Sequence, residues 1–186
     1  MEANKPGWCD SLNTLSAFFG SSVNETIELK RLSNYLLGIL NKYDNVISTD
    51  GIEVHEELYD FFKKILNILD KYITPYQYWD MNTIAREEYR QSILYGVSGH
   101  EKSISLDELK KFLNSTVKKA EQGIKKARNS EGVYYSYFMH QPDKYEVIEN
   151  DGTPVLNHQG YKCLNIDKFN CVPVPPFLES NARLLK

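Results

Sequence analysis

The sequence predicts a mainly α-helical fold of antiparallel helix pairs, with a small aromatic β-excursion in its C-terminal third. Three observations predict it. Apolar residues recur at spacings of three and four through the first 130 positions. Two helix starts carry a serine three residues before a glutamate, Ser22/Glu25 and Ser105/Glu108, which is the spacing of a capping box. After Gly132 the texture turns to aromatic strand formers, turn residues and prolines.

The first helix is expected over 24–43, where Leu29, Leu32, Leu36, Ile39, Leu40 and Tyr43 make one apolar face. The second is expected over 51–72, capped by Asp50, with Val54, Leu58, Phe61, Ile65, Leu69 and Tyr72 as its buried stripe. Ile73-Thr74-Pro75 ends it, because the residue before a proline avoids the helical region. A third spans 79–95, with Gly96 at the C-terminal cap. A fourth spans 106–128. Leu106, Leu109, Leu113, Val117, Ala120, Ile124 and Ala127 point one way, and a row of lysines points the other.

Val133–Met139, Tyr145–Ile148 and 162–169 read as short strands, with Asn150-Asp151-Gly152 as a turn between them. Pro173, Pro175 and Pro176 make an extended segment. Residues 177–186 then begin a helix that the chain stops before completing. The expected organisation is one partial catalytic-type domain over 1–186, helical over 1–130 and strand/loop over 131–186.

Composition bounds the function. The chain has 186 residues, 41% of them hydrophobic and 25% charged, which is ordinary for a globular domain with a core. A net charge of -3 gives no general pull toward nucleic acid or anionic membranes. No apolar run of about 18 residues is present, and no apolar core follows the N-terminal methionine, so the expected location is cytoplasmic. Cys9, Cys163 and Cys171 match no zinc spacing, and the four histidines form no H-x3-H pair, so no metal is expected.

One stretch carries chemistry. Trp8-Cys9-Asp10-Ser11-Leu12-Asn13 puts an indole, a carboxyl and an amide within six residues. An aromatic ring stacks on a pyranose face, and an acid protonates the oxygen of the bond being broken. Read locally, Asp10 is more readily a turn or capping residue, Trp8 at least as readily a core side chain, and Asn13 a turn amide. Gly20-Ser21-Ser22 before a helix start is an anion-binding arrangement, although plain capping explains the serines more simply. Glu25 and Glu28 would be general-base candidates if the reaction were hydrolysis, although surface or capping roles suit both better. Tyr134, Tyr135, Tyr137 and Phe138 suit either sugar stacking or a packed strand, and the packed strand is preferred.

The Trp-x-Asp-x-Leu-Asn stretch resembles the catalytic-acid segment of cellobiose-phosphorylase-like enzymes and the related cyclic-glucan-synthase-like proteins. Tyr78-Trp79-Asp80-Met81-Asn82 with Glu88-Tyr89-Arg90, and Pro173-Val174-Pro175-Pro176-Phe177-Leu178-Glu179, resemble downstream parts of the same large proteins. Cys9 stands where the family carries asparagine. The resemblance implies a partial (α/α) toroid, a slice of a barrel of six helix pairs that another chain or missing segments would complete.

It also implies inverting phosphorolysis of a β-linked glucose-type disaccharide or oligosaccharide. Asp10 would be the general acid, Trp8 and Asn13 would bind substrate, and inorganic phosphate would be the co-substrate with no other cofactor. The alternatives are a glycoside hydrolase on the same scaffold and a non-catalytic carbohydrate-binding or interaction module. A hydrolase needs a base carboxylate about 6.5–9.5 Å from the acid.

Overall fold

The computed structural model describes residues 20–43, 51–175 and 178–185. Among them it holds five helices and three antiparallel sheets, with about half of the residues helical and a quarter in strands. This corrects the expected mainly α partial toroid: the fold is a mixed α/β one, and its strands are far more than a small excursion. The chain divides into two compact units, one formed by 1–27 with 123–186 and the other by 28–122. The division falls within the first and fourth helices.

The 28–122 unit begins with most of α1 (Asn24–Lys42). Next come β2 (Ile52–His55), α2 (Glu56–Leu69), α3 (Pro75–Ser92), β3 (Glu101–Ile104) and most of α4 (Leu106–Lys126). The expected 51–72 helix is split. Ile52-Glu53-Val54-His55 alternates, and it pairs antiparallel with β3 from Ile52↔Ile104 to His55↔Glu101. Gly51 leads in at φ 89, and a Cβ there would stand 2.5 Å from the Ile104 carbonyl oxygen. His55, not Asp50, caps α2, its ring nitrogen accepting the Leu58 N–H at 3.1 Å.

Pro75 ends nothing on its own account here. It sits in the first turn of α3, where a missing N–H costs no bond. Thr74 caps that helix in a reciprocal box with Gln77. The expected box at α4 is present: Glu108 N–H donates to Ser105 Oγ at 3.2 Å, and Ser105 N–H donates back to the Glu108 carboxylate at 3.3 Å. Glu108 also pairs with Lys63 of α2. The core of this unit is Phe62, Leu66 and Ile104, with Val54, Tyr59, Leu109 and Phe112 packed on it. The Phe62 and Phe112 rings are 5.1 Å apart.

The other unit holds β1 (Gly20–Ser22), the start of α1, the end of α4, β4 (Tyr137–Val147), β5 (Glu149–Asn150), β6 (Thr153–Pro154), β7 (Leu164–Pro173) and α5 (Leu178–Leu184). Its main sheet has the order β1-β4-β7. β4 and β7 form a long antiparallel ribbon, from Phe138↔Pro173 to Val147↔Leu164. The register shifts beside Pro142, which has no N–H to give the ladder. Beyond the ribbon, β5 and β6 pair around Asp151-Gly152, both at positive φ (50 and 76). That is the mirror-image turn whose twist suits a hairpin, so the turn read from Asn150-Asp151-Gly152 is present. The core here is Val23, Ile27, Ile124 and Ala127, covered by Tyr134, Phe138 and Leu184.

Candidate functional site

Trp8, Asp10 and Asn13, the three residues expected to carry the chemistry, lie outside the described residues, as does Cys9. What is described begins seven positions after Asn13, where the chain joins the 1–27/123–186 unit through β1. Gly20, Ser21 and Ser22 pair with Met139, Phe138 and Tyr137 of β4. Val23 N–H donates to the Ser136 carbonyl at 2.9 Å. Residues 20–23 are therefore held by a ladder and a core.

A buried polar network sits at this point. Ser180 is fully buried, and its hydroxyl donates to Asn24 Oδ1 at 2.7 Å. Ser180 N–H donates to Ser136 Oγ at 3.1 Å. One turn away, the Tyr137 hydroxyl donates to Glu179 at 2.9 Å, and Arg183 holds the other oxygen of that carboxylate at 3.3 Å. Asn181 closes a two-bond bracket with the Tyr134 backbone, at 3.0 Å each way. Short polar side chains thus tie the start of α1, the start of β4 and α5 together. Within the network the Asn24 Nδ2 is buried without a hydrogen-bond partner among the described residues.

The other candidate residues fall as follows. Ser22 is buried, and its hydroxyl accepts the Asn24 N–H at 3.3 Å, so Gly20-Ser21-Ser22 serves β1 and the helix start. Glu25 is exposed. Glu28 is held by Arg31 one turn on, at 2.9 Å. Tyr137 is 1% exposed, and Tyr134 and Phe138 cover the core, so this aromatic run is a packed strand. Of the α4 lysines, Lys111 pairs with Asp70, and Lys119 lies 3.6 Å from the centre of the Tyr78 ring.

The 28–122 unit contains a small cleft between α2 and α3, about 120 Å³, lined by Glu57, Asp60, Phe61, Lys64, Ala85, Glu88, Tyr89 and Ser92. Its apolar wall is a stack: Tyr89 lies 4.8 Å from Phe61 and 6.2 Å from His55, nearly parallel to both. Lys64 and Glu88 pair across it at 2.8 Å. The Ser98 backbone N–H donates to Glu57 at 2.7 Å, and with the residue's own N–H it pulls the carboxyl down to about 2. Glu57 is thus ionised across the physiological range and is no general acid. Asp60 is bound to Lys102. The charged side chains of the cleft are each paired, Asp60 with a lysine outside the lining.

Among the described residues, no three His, Cys, Asp or Glu side chains converge to hold a metal ion. Among them, too, no helix is long and apolar enough to cross a membrane. Sequence reasoning missed the Asn24–Ser180–Ser136 network. Isolated serines and an asparagine carry no periodic signal, and Asn24 and Ser180 are 156 positions apart in the chain.

Compared with known proteins, the chain matches no family model and no curated protein.

Proposed function

We propose that the chain is part of a carbohydrate-active enzyme, a phosphorylase of the glycosyltransferase type. It cleaves a β-linked glucose-type disaccharide or oligosaccharide by phosphate attack with inversion. The observation that carries the reading is the Trp8-Cys9-Asp10-Ser11-Leu12-Asn13 constellation. The Asp10 carboxyl gives its proton to the glycosidic oxygen as the C1–O bond breaks. A phosphate oxygen forms the new bond at C1 from the opposite face, so no second carboxylate is needed to activate water. Trp8 stacks on the sugar ring, and Asn13 hydrogen-bonds a hydroxyl or the acid itself.

The anchorage of residues 20–24 supports this reading. A catalytic acid must be held on a firm support, and from Gly20, seven positions after Asn13, the chain is pinned by β1 and by buried Asn24. The partners are the oligosaccharide and inorganic phosphate, with no nucleic acid or membrane, and the location is the cytoplasm.

The test is sugar 1-phosphate formation from β-linked glucose disaccharides and phosphate, with Asp10→Asn as the control. The substitution is expected to lower turnover about 10²–10⁴-fold. Undiminished sugar phosphate from the variant removes Asp10 as the acid.

A further inference from the structure

Most of the expected apolar face of α1 is left exposed among the described residues. Leu32 is 55% exposed and Tyr35 67% exposed, with Leu29, Leu36 and Tyr43 exposed beside them. The helix instead turns Ser33 and Leu40 inward. On a heptad scheme, Leu29, Leu36 and Tyr43 are a positions, Leu32 and Ile39 are d positions, and buried Ser33 and Leu40 are e positions. The outer flank, the g positions, is Glu28, Tyr35 and Lys42. The free stripe therefore has one flank on the protein and one in the open.

We propose that α1 pairs antiparallel with α1 of a second copy of this chain. The argument for a second copy is charge complementarity of the face with itself. In an antiparallel pair that sets Leu36 of one copy against Leu32 of the other, Leu29 meets Ile39. The same register brings Glu28 of each copy beside Lys42 of the other, twice over, and sets Tyr35 against its own mate. Glu28 already bonds Arg31 along its own helix, and the second cation joins that pair rather than replacing it. The contact uses the same patch on both copies, so it closes as a two-fold dimer and leaves no open end.

Sedimentation velocity on the full chain from about 1 to 200 μM tests this, with melting curves confirming that each variant is folded. The parent is expected to be a dimer that dissociates on dilution. Leu36→Lys, and the milder Leu36→Ser, should weaken it about a hundredfold, since each removes a buried leucine twice. Glu28→Lys alone or Lys42→Glu alone should weaken it about tenfold through like charges, and the double swap should restore the parent's behaviour. A parent that stays monomeric throughout overturns the proposal and leaves the face to a different polypeptide. A dimer indifferent to Leu36→Lys, or charge swaps that fail to rescue one another, overturns it equally.

Discussion

Ser180 shows how far a single side chain reaches in this fold. Its hydroxyl donates to Asn24 Oδ1 and its N–H to Ser136 Oγ, with no solvent access to compensate for a loss. Ser180→Ala strands the Asn24 carbonyl oxygen and should cost about 1–3 kcal/mol. Urea unfolding measures this directly, and an unchanged midpoint would mean the network does not bear on stability. Glu57 makes a pH prediction. Its carboxyl sits at about 2 in the folded chain against an ordinary 4.5. A depressed carboxylate contributes stability that is present above the unfolded value and is lost as pH falls from about 4.5 toward 2. Glu57→Gln should therefore shrink the drop in melting temperature between about pH 6 and pH 3. An equal drop in parent and variant would count against the Ser98 contact. Neither residue stands out in the sequence. Ser180 lacks a period or motif, and Glu57 resembles any acid in a first helical turn until the Ser98 amide is seen to reach it.

At the scale of elements, local chemistry was legible where it was self-contained. The Ser105/Glu108 box, the inward stripe of α4 and the Asp151-Gly152 turn need only residues a few positions apart. Gly152→Val should disturb that turn by about 1–2 kcal/mol, because a branched residue resists φ 76, while Asp151→Gly should be nearly neutral. Unfolding curves for both would show it, and equal effects would contradict the turn geometry. The β2–β3 pair was not legible. Ile52–His55 alternates over only four residues and runs directly into the helical stripe of α2, so the helical period absorbed it. The β4–β7 ribbon was read in pieces because Pro142 interrupts the run, whereas the structure carries the strand past it with a register shift. In α1 the helix is legible, but its apolar residues divide, Leu40 inward and Leu29, Leu32 and Leu36 outward. Their exposure could not be read, since periodicity tells which residues share a face and not what lies against that face.

For the whole molecule, the mixed α/β fold replaces the helical toroid that the resemblance implied, yet the chemical proposal rests on a different foundation. It stands on an indole, a carboxyl and an amide within six residues of sequence, Trp8 to Asn13. The Trp8-to-Asn13 stretch was legible because its residues are adjacent in sequence; the buried Asn24–Ser180–Ser136 network was not, being assembled from distant parts of the chain. The central claim is that phosphate, and not water, receives the glycosyl group. Initial rates on a β-linked glucose disaccharide should be measured across phosphate concentrations, with the product followed by phosphorus NMR. The account predicts a rate that rises from zero and saturates with phosphate, yielding a sugar 1-phosphate of inverted, α configuration. Glucose release at the same rate without phosphate, or no turnover at any phosphate concentration, would contradict it.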